Sequence, residues 1–510
     1  MAAPKTSDPK PKKTQTDFTV FLTAFIVIAG FTIPIYFFPE QAKTIIVPTY
    51  DCIANNLGLA YQWAVICMVV FLGWIALGPH GSLRLGDRDE RPEFGYFTWV
   101  SMLFCAGVGA GLIYWSTIEW AHYLASPPFG AEPLSREARD WALSYGLFHW
   151  GPMAWMIYAL PTVAIGYQYY VRGAPNLRFS AALHGMFGSG VTAAIMSRVL
   201  DFLFMLSLLA GAGTSIGLAV PMISESLADA LGFERTLGTD ISVIGACVGL
   251  LAIAAYTGLS KGISKLAEFN VLLAFGFLLF ILFVGPTLLI LRLGTEHIGF
   301  MLQNSLRMLF YTDAIERTGF VEDWTIFYWA WWIAFGPFVG LFVTRISRGR
   351  TLRDLIIAMA VFGSLGAWMF YVVLGNYAFW LDMSGRVPVG EIVNGEGPAR
   401  AIAEVIASLP FPPVMLSVFS VISIIFIAAT YNSKAYALAA STMRNLAIGQ
   451  DPPRWNRVFW ALVLGLLPIA LISVEGGIKV AQSAVLVASL PLLIIGVLMC
   501  INLARSLGER

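Results

Sequence analysis

The sequence predicts an all-α polytopic membrane protein with twelve transmembrane helices, in which spans 3–7 and 8–12 form a 5+5 inverted repeat and the two N-terminal helices are extra. Three observations carry that prediction. Of the 510 residues, 58% are apolar and only 12% charged, with many apolar runs near the roughly 20 residues that cross a bilayer. Lys and Arg gather in alternate connections, as the cytoplasmic ones require. Two helix-breaking stretches, Gly107 to Gly111 and Gly336-Pro337, fall five spans apart, the spacing at which discontinuous helices of two inverted halves meet at the bilayer midplane.

In chain order, residues 1–17 form a polar tail with Lys5, Lys10, Lys12 and Lys13 and no cleavable signal, so the tail is expected to stay cytoplasmic. One membrane domain, 18–503, follows, then a short cytoplasmic tail, 504–510. Apolar periodicity places the spans at 18–38, 58–78, 95–124, 141–171, 198–222, 240–257, 267–292, 324–345, 355–381, 413–440, 456–474 and 481–503. The basic connections carry Arg84, Arg88 and Arg91; Arg172 and Arg178; Lys261 and Lys265; Arg345, Arg348, Arg350 and Arg353; and Arg444, Arg454 and Arg457. Opposite connections are diluted by Glu132, Glu137, Asp229 and Glu234. Residues 295–310 and 397–408 read as amphipathic helices lying at the membrane surface.

Composition excludes several function classes. A net charge of +1 offers no basic face for nucleic acid. Five scattered cysteines, Cys52, Cys67, Cys105, Cys247 and Cys500, support neither a disulfide framework nor zinc. The spans lack paired catalytic carboxylates, a His-metal cluster or a nucleophile with its base, which argues against an enzyme, and no cofactor is implied.

Three spans carry the irregularities. In the third, Cys105-Ala-Gly107-Val-Gly109-Ala-Gly111 costs a helix about 1 kcal/mol per glycine relative to alanine, and marks either an unwound stretch or a close packing face. The fourth contains Phe148-His149-Trp150-Gly-Pro152-Met-Ala-Trp155-Met-Ile-Tyr158; Trp155 and Tyr158 share a face, and Pro152 can rotate Trp150 towards them. His149 reads as a satisfied interior histidine. The eighth runs from Trp324 through Trp329, Trp331, Trp332 and Phe335 to Gly336-Pro337, where the helix is expected to loosen, and ends in Arg345-Ile-Ser-Arg-Gly-Arg350. Trp324 reads as a belt residue. Indoles beside a helix break at mid-depth suit one ligand chemistry above others, a permanently charged onium group held by ring faces at ~2 kcal/mol or more per desolvated contact.

The Trp-Ala-Trp-Trp run with the arginine motif after it, the Phe148-His149-Trp150 and Trp155-to-Tyr158 pattern and the glycine stretch resemble the betaine/choline/carnitine transporter family over nearly the whole chain. That resemblance implies a leucine-transporter-like fold and import of an onium compound such as glycine betaine, choline, carnitine or dimethylsulfoniopropionate by a homotrimer in the cell inner membrane with both termini inside. It implies an aromatic box at Trp150, Trp155, Tyr158, Trp331 and Trp332, with Phe335 where sodium-coupled relatives place a further tryptophan and His122 where the carnitine/butyrobetaine antiporter has a tyrosine. Gly107, Gly109, Gly111 and Asn270 side with the sodium symporters. The implied sodium ligands are Thr214, Phe338, Asn270, Cys105, Val108, Phe426 and Thr430, although Ala210 and Ala429 replace two hydroxyl ligands. Lys434, one turn after Thr430, either snorkels to the cytoplasm, the favoured expectation, or serves as a built-in cation. Sodium symport is the first expectation and sodium-independent exchange the alternative. The short C-terminal tail leads us to expect no osmosensing domain. A receptor or channel fits less well, since broken helices at midplane come without a continuous polar pore.

Overall fold

The computed structural model describes residues 15–258, 262–444, 446, 450–472 and 477–509. Among them every regular element is helical. Among the described residues, eight helices, or nine if a bent pair is counted as one span, are long and apolar enough to cross a membrane, fewer than the twelve expected.

Helices α1 (Phe18–Phe37) and α2 (Pro39–Leu77) precede the bent pair α3 (Tyr96–Gly107) and α4 (Ala110–Ala125). Between the last two, Val108 and Gly109 are extended, and the axis turns by 63°. The glycine stretch is therefore an unwound link, where glycine's low helix propensity tips the balance. The expected fourth span is also two helices, α5 (Arg136–His149) and α6 (Pro152–Gly166), separated at Trp150-Gly151; Pro152 opens α6 as a first-turn proline.

Next come α7 (Val191–Leu231), α8 (Leu237–Thr257), α9 (Ser264–Val284) and α10 (Thr287–Leu309). The seventh span ends earlier than expected, at Gly285-Pro286, and the surface helix expected at 295–310 is the second half of α10. Residues 397–408 contain a short helix, Pro398–Ala407, as expected.

Helix α11 (Phe327–Ile346), preceded by a π-helical turn at Val321–Ile326, is the centre of the molecule, with every one of its residues buried. It is not broken at Gly336-Pro337. Proline fixes a backbone angle that a helix already uses and costs one hydrogen bond, and here packing on all faces keeps the helix continuous through that loss. Close packing on α6 helps, since a Cβ at Gly340 would lie 2.8 Å from Pro161 Cβ, and Thr344 Oγ1 donates to Thr162 O at 3.0 Å.

The arginine motif after α11 does more than mark a membrane face. Arg345, buried, pairs with Glu93 at 2.7 Å and Asp451 at 3.6 Å, and Arg348 with Glu90 at 2.5 Å. Gly349, at φ +81°, lies so close to the Arg91 backbone that a Cβ would sit 2.6 Å from its carbonyl carbon. The motif thus latches α11 to the segment leading into α3. The rest of the chain is α12 (Leu352–Met383), interrupted by π turns at Met359–Gly363 and Tyr371–Gly375, then α13 (Pro412–Ser441), α14 (Arg454–Ile472) and α15 (Gly477–Gly508).

Candidate functional site

Consecutive on α11, Trp331 and Trp332 lie parallel with ring centroids 5.3 Å apart. Trp150, in the break between α5 and α6, stands across them edge to face, 4.8 Å from Trp332 and 6.3 Å from Trp331. Tyr158 on α6 closes a third side at 5.7 Å from Trp332. The structure therefore brings Trp150, Tyr158, Trp331 and Trp332 together, each at most 3% exposed. Edge-to-face pairing leaves electron-rich ring faces turned towards neighbouring edges, the quadrupole arrangement that a cation can replace. Trp331 Nε1 and Tyr158 Oη have no hydrogen-bond partner among the described residues, so two donors remain for a polar tail.

Trp155 joins this cluster through Tyr158, at 5.8 Å, while its other face stacks on Phe104 at 6.3 Å. A Cβ at Gly107 would lie 2.5 Å from Trp155 Cη2, and one at Gly363 2.1 Å from its Cδ2, so two glycines make room for the indole. Phe335 continues the row beyond Trp331 at 5.9 Å. His122 is placed elsewhere: its ring contacts are Trp115 at 6.3 Å and the half-buried Trp324 at 5.6 Å, outside the four-ring cluster.

Five of the seven residues expected to hold sodium fall into two groups. Thr430 Oγ1 on α13 lies 3.1 Å from Val108 O in the unwound link and 3.0 Å from Phe426 O. Three hard oxygens thus converge, and hard cations prefer such donors. Gly109 permits the approach, since a Cβ there would lie 3.1 Å from Thr430 Oγ1. Separately, Asn270 Nδ2 donates to Cys105 Sγ at 3.5 Å, and Asn270 Oδ1 is buried without a hydrogen-bond partner among the described residues. Phe338 packs on Phe335 at 5.5 Å. The side chain of Thr214 lies outside the described residues.

Lys434 does not snorkel. It is fully buried, and its Nζ lies 4.3 Å from the Tyr431 ring centroid, 4.6 Å from Phe335 and 5.5 Å from Phe338, without a hydrogen-bond partner among the described residues. Aromatic faces replace the water that the cytoplasm would have supplied.

Sequence reasoning missed Glu119, which is fully buried on α4. Tyr123 Oη donates to its Oε1 at 2.5 Å, Tyr328 Oη donates to the same oxygen, and Tyr371 Oη donates to Oε2. The usable signal was a carboxylate inside an apolar run, a feature that membrane proteins keep for function. His149 is a satisfied interior residue, as expected: Nδ1 lies 2.9 Å from Tyr123 Oη and Nε2 3.2 Å from Thr325 Oγ1, while its carbonyl accepts from Trp332 Nε1 at 3.0 Å.

A family model described as BCCT, betaine/carnitine/choline family transporter, matches residues 19–510 of the chain.

Proposed function

Because this chain belongs to the betaine/carnitine/choline family of transporters, and so is a transporter and not an enzyme, we propose that it imports a quaternary-ammonium or sulfonium compound by sodium symport. The observation that carries this reading is the cluster of Trp150, Tyr158, Trp331 and Trp332 at the centre of the helix assembly. An onium group is permanently charged and weakly hydrated, so ring faces bind it without a carboxylate ligand. Glycine betaine, choline, carnitine and dimethylsulfoniopropionate are the candidate substrates. Trp331 Nε1 and Tyr158 Oη would serve the carboxylate or hydroxyl at the other end.

The coupling ion is sodium, taken by Thr430 Oγ1, Val108 O and Phe426 O next to the unwound link. Binding there would tie the α3–α4 link to α13, so that sodium orders the elements around the box and lowers the cost of binding substrate. A homotrimer in the inner membrane, with five-plus-five inverted halves and both termini cytoplasmic, completes the reading.

One observation favours a second reading, sodium-independent exchange: the buried Lys434 ammonium among Phe335, Phe338 and Tyr431 could act as a resident cation. Uptake of a labelled onium panel into proteoliposomes, with and without a sodium gradient, tests both. Symport predicts accumulation that collapses when potassium replaces sodium. Uptake indifferent to sodium in the wild type, but sodium-dependent in Lys434→Ala, would establish exchange instead. Failure of every onium compound to accumulate or exchange would end the onium reading.

A further inference from the structure

Glu119 is a carboxylate in the interior of a membrane protein whose three hydrogen-bond partners, Tyr123, Tyr328 and Tyr371, are all phenols. None of them brings a positive charge, and among the described residues no Lys or Arg forms an ion pair with it. Such carboxylates are costly in a bilayer and are kept to face a cation or a substrate pathway.

Taking Glu119 as ionised sets the donor directions around it. A phenol has one proton to donate. With the Tyr123 proton on Glu119, the short contact of 2.9 Å to His149 requires His149 Nδ1–H to donate to Tyr123 Oη. His149 Nε2 then accepts from Thr325 Oγ1–H at 3.2 Å. Every proton along Thr325, His149 and Tyr123 points towards Glu119, and so do those of Tyr328 and Tyr371. In that arrangement each contact supplies a donor, so an ionised Glu119, which only accepts, has its hydrogen bonds satisfied.

Two of these phenols are also walls of the aromatic cluster. Tyr328 stacks on Trp331 at 6.0 Å and Trp332 at 5.6 Å, and stands 5.9 Å from Trp150; Tyr371 lies 6.2 Å from Trp150. Glu119 is therefore linked to the box through the two phenol rings. A phenol donating to a carboxylate is also richer in electrons at its ring face, which strengthens its hold on a cation in the same sense as the direct Coulomb attraction.

We propose that Glu119 is the counter-charge of the bound onium group: a specificity-determining carboxylate, acting through Tyr328 and Tyr371, that makes the box select for positive charge and not merely for a methylated apolar shape. The proposal rests on the onium reading of the box. Opposite charges about 6 to 12 Å apart, at an effective permittivity of about 20, differ from a neutral pair by about tenfold to a hundredfold in affinity.

The test is calorimetric titration of the full-length protein in lipid nanodiscs with two matched pairs: choline against 3,3-dimethylbutan-1-ol, and glycine betaine against 3,3-dimethylbutanoate. In each pair carbon replaces the charged nitrogen at constant shape. Glu119→Gln keeps the size and an acceptor oxygen but removes the charge, and is expected to lower the onium-to-isostere affinity ratio by about tenfold or more. Tyr328→Phe keeps the ring but removes its hydrogen bond, and is expected to lower the same ratio severalfold, so the proposal stays testable if Glu119→Gln does not fold. An unchanged ratio in folded variants, including equal weakening of both members of a pair, would make Glu119 a structural hub and overturn the proposal. Folded wild type that binds neither onium compound would overturn the onium reading itself, a separate outcome.

Discussion

Single alanines at the three glycines of the α3–α4 link should have three different effects, because each glycine faces a different neighbour. At Gly107 the added Cβ would meet Trp155 Cη2 at 2.5 Å, Cζ3 at 2.6 Å and Tyr158 Cε2 at 3.3 Å. Carbon atoms pack at about 3.5 to 4.0 Å, so the indole must move by about 1 Å. It has little room to do so, since Gly363 already touches the other part of the ring system. Overpacking of this kind costs about 1 to 3 kcal/mol. Relief comes from displacing Trp155 and the Tyr158 ring beside it, which lowers onium affinity by about fivefold to a hundredfold. At Gly109 the new Cβ would lie 3.1 Å from Thr430 Oγ1, so alanine there should raise the sodium concentration needed for half-maximal uptake and leave binding at saturating sodium nearly intact. At Gly111 the nearest atom, Trp331 Cη2, is 3.9 Å away, an ordinary contact, and alanine should change affinity by less than about twofold. The assay is calorimetric titration of glycine betaine at several sodium concentrations. Wild-type affinity in Gly107→Ala, or equal damage from Gly107→Ala and Gly111→Ala, would refute the reasoning.

Other consequences follow from the same contacts. Gly349→Ala combines a left-handed backbone angle with a Cβ 2.6 Å from the Arg91 carbonyl carbon, so it should lower the melting temperature in detergent by several degrees, while wild-type stability would show that the latch is dispensable. Thr430→Ala removes one of three converging oxygens and should raise the half-saturating sodium concentration by about tenfold in an uptake assay; no change would move the ion elsewhere. Lys434→Met replaces an amine that has no hydrogen-bond partner among the described residues by an apolar chain of similar length, and should leave thermal stability equal or higher, because the desolvation cost disappears. A loss of stability would show that the ammonium is held by more than ring faces.

The sequence made the box legible because indoles rarely run inward along a membrane helix, and Trp331, Trp332, Trp150 and Tyr158 do meet. It made the α3–α4 link legible because three alternating glycines leave a helix little reason to continue. Pro337 misled for a physical reason: propensity says what a helix loses at proline, and only tertiary packing says whether the loss is tolerated. Tyr371 and Gly363 stayed hidden because they lie in π turns of α12, whose period departs from 3.6 and turns side chains to unexpected faces. Glu119 could have been found as a lone carboxylate among apolar residues with Tyr123 one turn later, whereas its other two phenols, Tyr328 and Tyr371, come from distant helices that no local pattern joins to it. His122 lies with Trp115 and Trp324, a grouping that spans two helices and that sequence spacing alone does not reveal.

The central claim, that the rings around Trp332 hold a cation, is tested most directly by titrating glycine betaine, choline and carnitine into purified wild type, Trp332→Phe and Trp332→Ala in nanodiscs with sodium present. The cation–π account predicts saturable binding of at least one onium compound to the wild type, weaker binding to Trp332→Phe, and a loss of about thirtyfold or more in Trp332→Ala, the equivalent of about 2 kcal/mol. Equal affinity in the wild type and a folded Trp332→Ala would contradict it.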